Sequence, residues 1–394
     1  MANQRICLII PSFYPAVIYG GPIFTSLNSA KELAKLDGIE VYVSTTNANM
    51  TSKLDVETGK FIELEKDLYV KYYDEIILDK FSLDLYLNIY KDIKQADIVH
   101  IQAIFDSPTI ISLMMARLFK KPTFLTPHGS MGDWAMSQGS TLKKWWLRLF
   151  IKPFSNYITW HATAQQEVDE ILKHFPNADI AIVPNGVFVD DFKKYNTFSK
   201  TQYIKKYIGI DDENVDKIVI SMGRLQKKKG IDILIDSFVK VLQNFPNSYL
   251  LIAGPDEGEE QNLKEQIKKL NLQDRVFLIG SVEKQDKIDF FANADLFALS
   301  SHNENFGIVY LESLASGTPI VASTNTPWQE VLEYNCGGWV DNTVEDTANA
   351  IIEVLSNDRD EMRKNSFKLA SEYDWSSVAI KFKKLFKQTQ ERSR

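Results

Sequence analysis

Three clusters in this 394-residue chain have the residue types to hold an anionic, hydroxyl-bearing ligand. Tyr19-Gly20-Gly21-Pro22 precedes Ile23–Leu36, whose apolar residues keep helical spacing, so bare backbone N–H groups stand where a helix begins. Such a terminus attracts phosphate, although a glycine pair also makes a plain tight turn. Gly223-Arg224-Leu225-Gln226-Lys227-Lys228-Lys229-Gly230-Ile231-Asp232 puts several cations in a short loop between a strand and a helix. Arg224 can grip phosphate oxygens in a fork, and a lysine a few residues on adds a compact charge that stabilises a departing diphosphate. A lysine run can equally be a solvated face. The third cluster, Ser301-His302-Asn303-Glu304-Asn305-Phe306-Gly307-Ile308-Val309-Tyr310-Leu311-Glu312, carries two carboxylates eight residues apart. Ile308, Leu311 and Leu314 have helical spacing, which puts Glu304 in the loop before a helix and Glu312 in its second turn. N–H groups near Phe306–Ile308 suit phosphate and the carboxylates suit sugar and ribose hydroxyls. The plainer alternative is a helix cap at Glu304 and a surface residue at Glu312.

The elements that must position these clusters are short apolar strands alternating with helices. Ile6–Ile10, Val41–Ser44, Ile98–Ile101 and Thr123–Thr126 set a β/α rhythm, and it restarts with Lys217–Ser221, Tyr249–Ala253, Val276–Ile279, Leu296–Leu299 and Thr318–Ala322. Two doubly wound parallel sheets are expected. Ligands of such sheets sit beyond the carboxyl ends of the strands, so two of them facing each other would enclose a cleft. Between the two runs, Ile182-Val183-Pro184-Asn185-Gly186-Val187 reads as a strand ending in a turn, which puts the domain junction near residue 190. From Tyr373 onward, Trp375, Val378, Ile380, Phe382, Leu385 and Phe386 stand among lysines as an amphipathic helix. No repeat of solenoid period is present.

Length and composition agree with two globular domains. The formal charge of −7 argues against a general nucleic-acid binder. Two cysteines, Cys7 and Cys336, support neither a disulfide framework nor a thiolate metal site. The first apolar run is broken at Pro11, too early for a signal peptide or a membrane span, so the chain reads as cytoplasmic with any membrane contact peripheral.

A Gly-Gly loop, Gly-Arg-x4-Lys-Gly and Glu-x7-Glu stand in order along the chain, and over nearly its whole length it resembles the retaining glycosyltransferases of family 4. The segment Tyr373-Asp374-Trp375 looks like the start of that family's closing helix. The resemblance implies the GT-B architecture: a Rossmann-like acceptor domain over residues 1–190, a Rossmann-like donor domain over 191–372 and a helix over 373–394 returning to the first domain. It implies that Gly20 and Gly21 approach the donor phosphates while Arg224 and Lys229 clamp the diphosphate. Glu304 would face the donor sugar with the backbone of Asn305, Phe306 and Gly307, Ile308 would begin the helix beside the phosphate, and Glu312 would bind ribose. The main chain at Ser281 and Val282 would hold the base. His128, in Thr126-Pro127-His128-Gly129-Ser130, matches the histidine that lines the sugar site, against the commoner role of a hydrogen-bonded core residue.

The implied reaction moves a hexose, glucose by family habit, from a nucleotide diphosphate sugar such as UDP-glucose to a saccharide or lipid-linked acceptor in polysaccharide or glycoconjugate synthesis. His100 ends a strand and reads as structural, and His161, His174 and His302 have no partners at metal-ligand spacing. With Arg224 and Lys229 supplying positive charge, neither metal nor cofactor is expected. Ser140–Lys152 combines Lys143, Lys144, Arg148 and Lys152 with Trp145, Trp146, Leu149 and Phe150 and has no acid, which suits either an interfacial helix at the inner membrane face or an ordinary helix with its tryptophans inward. The nearest rival is a nucleotide-sugar epimerase or hydrolase on the same architecture. A nicotinamide-dependent dehydrogenase is disfavoured because no strand is followed by Gly-x-Gly-x-x-Gly, and a non-catalytic sugar binder because Arg224, Lys229 and Glu304 are all present.

Overall fold

The computed structural model describes residues 3–76, 80–137 and 140–393. Met1 and Arg394, the ends of the expected domains, lie outside the described residues. The chain divides into two compact units, Met1–Gly186 with Trp375–Arg394, and Val187–Asp374. The division falls at Gly186, ahead of the domain junction near residue 190 that the sequence suggests.

In the first unit the strands are β1 (Gln4–Ser12), β2 (Ile39–Thr46), β3 (Phe61–Glu65), β4 (Leu68–Tyr73), β5 (Ile98–Gln102), β6 (Thr123–Thr126), β7 (Thr159–Ala162) and β8 (Asp179–Ile182), in the order β8-β7-β6-β5-β1-β2-β4-β3. Within this sheet all pairs are parallel except β3 on β4, an antiparallel edge hairpin, and a separate short antiparallel pair joins Ala48–Asn49 to Ser52–Lys53. The expected strand at Ile182–Val187 instead ends at Ile182, because Pro184 has no N–H for the ladder. The second unit holds β9 (Ile218–Met222), β10 (Tyr249–Ala253), β11 (Val276–Gly280), β12 (Leu296–Leu299), β13 (Ile320–Ser323) and β14 (Gly337–Val340), in the order β11-β10-β9-β12-β13-β14 and parallel throughout. Both faces of each sheet are covered, so Ile6–Ile10, Leu250–Ala253 and Leu296–Leu299 are continuous apolar runs buried end to end, and Ile98–Ile101 is buried likewise with His100 its polar member.

Each sheet reverses its winding at a central strand, between β1 and β5 and between β9 and β12, and such switch points leave a crevice at the carboxyl ends. The loops after β1, β5 and β6 carry Gly20-Gly21, Asp106 and His128; those after β9 and β12 carry Arg224–Lys229 and Glu304.

The closing helix, Trp375–Ser393, packs on the helix Gly21–Ala34 within the first unit. Trp375, Val378, Phe382 and Phe386 are buried, whereas Ile380 points to solvent. The Phe382 ring meets two buried histidines, His100 at 5.8 Å and His161 at 4.9 Å between ring centres. Their hydrogen bonds fix the protons. His161 Nε2 donates to the Val183 carbonyl at 2.8 Å, so its Nδ1 accepts from the Thr126 hydroxyl at 2.7 Å, and that hydroxyl accepts from His100 Nε2 at 2.8 Å. His100 is therefore structural, as its strand position suggests, and His161 belongs to the same chain of bonds. Burial and the neighbouring His161 and His128 push His100 well below its ordinary range, and burial pushes His161 down to about 4.

A histidine that titrates lower in the folded than in the unfolded chain binds fewer protons when folded, so its stabilisation is present above pH 6.5 and is lost as pH falls towards 4. Unfolding by urea should therefore show a loss of roughly 2 kcal/mol per such histidine between pH 7.5 and pH 5. His161→Gln should flatten that dependence by one histidine's share; a wild-type stability that stays level across this window contradicts the account.

Candidate active-site loops

In the N-terminal unit the chain leaves β1, makes a short 3-10 turn at Val17–Tyr19 and enters the helix Gly21–Ala34. Gly20 caps that helix with φ +75°, and a Cβ at Gly20 or Gly21 would meet nothing within 4 Å, so the backbone faces open space. Beside this turn lies a cavity of about 280 Å³ whose wall includes Tyr19, Lys80, Phe105, Asp106 and His128. Asp106 caps the helix Ser107–Leu118 by position only: its carboxylate makes no cap bond and pairs with Lys80 at 3.2 Å, on the cavity wall. His128 follows Pro127 with φ +53° and is partly buried. Its Nε2 lies 3.4 Å from Gln102 Oε1, which also accepts from Ser26 Oγ at 2.5 Å. Desolvation, with a smaller contribution from His161, pushes His128 down to about 4, so its imidazole is neutral at pH 7.

One residue that holds this loop escapes sequence reading. Glu167 is fully buried and accepts from Gly129 N at 2.6 Å through one oxygen, and from Thr163 N at 2.8 Å and Thr163 Oγ1 at 3.0 Å through the other. It ties the loop after β6 to the loop after β7. Its only signal is a glutamate in the first turn of the helix Gln165–His174 reaching back past the helix start, as in a capping box.

The basic-aromatic segment begins nearby, with the helix Ser140–Trp146 and a π-helical turn, Leu147–Ile151. It faces both ways. Trp146 Nε1 donates to the Ile104 carbonyl at 2.8 Å, and Lys143 turns in to the Ala135 carbonyl at 2.6 Å, 5.2 Å from the Phe105 ring centre. Leu142, Trp145, Leu149 and Phe150 are exposed beside exposed Lys144, Arg148 and Lys152. Lys143 and Trp146 are thus removed from the outward face of an interfacial helix, because both bond inward.

In the C-terminal unit, Lys229 and Glu304, 75 residues apart, meet in a close ion pair with side chains 15% and 12% exposed. Backbone proximity makes the contact. Gly230 has φ +61°, and a Cβ there would fall 1.9 Å from the Ser300 carbonyl oxygen, so only glycine lets the lysine loop lie against the end of β12. His302 N donates to the Lys228 carbonyl at 2.8 Å and continues the seam. Arg224 is 60% exposed and pairs with Glu257 at 2.8 Å. The chain then passes Asn305 and buried Phe306, whose carbonyl accepts from Trp328 Nε1 at 2.8 Å, and turns at Gly307, φ +69°, into the helix Ile308–Ala315. Glu312 sits in the second turn and pairs with Lys287 at 2.6 Å. After β11 and Gly280, Ser281 is exposed and Val282 is half-buried against the core. Among the described residues, no group of three or more His, Cys, Asp or Glu side chains has the arrangement to hold a metal ion.

Comparison with known proteins places these loops in a family. Residues 19–191 match the family model described as Glycosyltransferase Family 4, and residues 206–369 match Glycosyl transferases group 1. The chain is 25% identical over 356 residues to the alpha-monoglucosyldiacylglycerol synthase of Streptococcus pneumoniae, covering 89% of this chain and 78% of that one. It is 30% identical over 219 residues to the phosphatidyl-myo-inositol mannosyltransferase of Mycobacterium tuberculosis, a match spanning 53% of this chain and 54% of the relative. Among solved structures, Anabaena HepE, crystallised in complex with UDP, superposes with a TM-score of 0.71 at 18% identity, covering 98% of this chain and all of HepE. With its two halves matched in order by these models and two parallel α/β units of the same fold, the chain belongs to glycosyltransferase family 4 and has the GT-B fold.

Proposed function

We propose that this glycosyltransferase moves a hexose, glucose foremost, from a uridine diphosphate sugar to a saccharide or lipid-linked saccharide with retention of configuration, and that it needs neither a metal nor a cofactor. The observation that carries the reading is the partly buried Lys229–Glu304 pair at the switch point of the second sheet, with Arg224 in the same loop. Arg224 and Lys229 stabilise the departing diphosphate, the charge that a metal would otherwise neutralise. Glu304, with the backbone of Asn305, Phe306 and Gly307, faces the sugar; Glu312 takes the ribose, and the main chain at Ser281 and Val282 takes the base. In the N-terminal unit the open backbone at Gly20 and Gly21 suits phosphate oxygens, and neutral His128 orients a sugar hydroxyl.

The acceptor hydroxyl oxygen bonds to the anomeric carbon on the face the diphosphate leaves. As the bond from that carbon to the phosphate oxygen breaks, the hydroxyl proton passes to a phosphate oxygen of the leaving group. No covalent nucleophile is required, and Glu304 is assigned to hydroxyl binding instead.

Similarity to a monoglucosyldiacylglycerol synthase and a phosphatidyl-myo-inositol mannosyltransferase supports a lipid acceptor at the inner face of a membrane. The cavity beside His128 adds a physical reason. Its walls include Ile104 and Phe105, the two residues that Trp146 and Lys143 grip, so the segment that exposes Leu142, Trp145 and Leu149 is anchored to the cavity wall. An acceptor headgroup can then enter the cavity while its apolar part stays in the bilayer.

Arg224→Ala or Lys229→Ala should lower kcat on the order of a hundredfold, measured as UDP release with acceptor present. Wild type given the donor alone should release UDP only slowly; rapid release, or formation of an epimer, would favour the hydrolase or epimerase. Transfer should continue undiminished in EDTA, and loss of activity restored by a divalent cation would refute the metal-free mechanism. Wild type should float with anionic vesicles, and Lys144→Glu/Arg148→Glu should stay behind; equal flotation removes the membrane proposal.

A further inference from the structure

Glu312 is a proposed donor ligand whose part-buried charge partner, Lys287, has no role so far. Lys287 lies one turn into the helix Lys284–Ala292, immediately after the Ser281–Val282 loop, and its Nζ reaches Glu312 Oε1 at 2.6 Å on the helix Ile308–Ala315. The side chains are 28% and 13% exposed. The other oxygen, Oε2, is buried and has no hydrogen-bond partner among the described residues.

A pair kept for packing alone would be poorly made. A buried ion pair contributes little net stability unless its remaining lone pairs are satisfied, and an apolar pair of similar size does as well or better. An orphaned carboxylate oxygen costs free energy that only an added donor recovers. Because Oε2 is buried in the empty protein, a ligand hydroxyl would reach it only with a turn of the carboxylate about its last torsion.

We infer that Lys287 is a positioning residue for ribose recognition: it holds Glu312 by one oxygen so that the other accepts from a ribose hydroxyl. The inference rests on the reading of the C-terminal unit as the nucleotide-sugar site. It also makes one helix serve two contacts, since the helix that carries Lys287 begins at the loop proposed to hold the base.

The test is calorimetric binding of UDP and of 2′,3′-dideoxy-UDP, which has no ribose hydroxyl for Glu312 to hold. Wild type should prefer UDP by about tenfold or more, the worth of a charge-assisted hydrogen bond. Lys287→Met should weaken UDP by about tenfold and leave dideoxy-UDP nearly unchanged, Lys287→Arg should restore the preference, and Glu312→Gln should behave like Lys287→Met. Lys287→Gln replaces the methionine variant should that one fail to fold. If the Lys287 variants bind UDP as wild type does, or weaken both nucleotides equally, while Glu312→Gln loses the preference, the positioning role is wrong and the nucleotide site stands. A wild type that binds both nucleotides alike overturns ribose recognition by Glu312. A wild type that binds none of UDP, ADP and GDP removes the reading on which the inference rests.

Discussion

A parallel sheet covered by helices on both faces leaves polar side chains only the strand ends. Along β10 and β12 the strand interiors are closed by apolar residues, and in the first sheet buried His100 has its Nε2 bonded to Thr126. Functional groups are therefore pushed into the loops beyond the carboxyl ends, and the switch in winding order opens two of those loops towards each other. That constraint brings Lys229 to Glu304 across 75 residues of sequence, and it works through backbone contact: Gly230 lies against Ser300 before either side chain is placed.

Within the second unit, charge is arranged in pairs that are not equivalent. Arg224 and Glu257 meet in water at 60% and 39% exposure, where an ion pair is worth roughly 1 kcal/mol or less. Arg224 can leave Glu257 for a phosphate at little cost. Lys229 and Glu304 are largely withdrawn from water, so a ligand that separated them without replacing both contacts would leave two poorly solvated charges. Under the proposed function a nucleotide diphosphate sugar would replace both, phosphate for the lysine and hydroxyls for the glutamate. The same loop can thus hold itself together when empty and still prefer that ligand.

The sequence carried the C-terminal loops well because their signals are local. Gly-Arg-x4-Lys-Gly follows a strand, and the spacing of Ile308, Leu311 and Leu314 alone sets Glu312 in the second helical turn, where it is found. Lys287 and Glu167 were not legible, since their importance lies in partners 25 and 38 residues away, across strand pairings that no local pattern specifies. The hairpin β3–β4 was missed for a different reason. At the sheet edge Ile62 and Leu64 alternate with Glu63 and Glu65, but the alternation is only four residues long and all four are exposed, and its turn places Asp67 at φ +62° without a glycine to announce it. In the basic-aromatic segment, composition suggested an outward face, but which lysine and which tryptophan turn inward depends on the Ile104 and Ala135 carbonyls, which only the fold supplies.

The histidines of the first unit show how burial decides chemistry. His161 and His128 share the same cause of depressed basicity, yet only one is confined. His161 has both nitrogens engaged by Thr126 and Val183, so no ligand can use it without breaking a chain of bonds that also passes through His100. His128 reaches Gln102 only at 3.4 Å, beyond a good hydrogen bond, and it lies on a cavity wall. Its strained backbone is held by Glu167 through the next residue's N–H, which leaves the imidazole free of that duty. A neutral ring that is only loosely bonded is suited to hydrogen bonding an uncharged hydroxyl, and unsuited to carrying a positive charge towards a phosphate. In the proposed function this gives His128 a hydroxyl-orienting part, with the charge for phosphate left to Arg224 and Lys229 of the C-terminal unit.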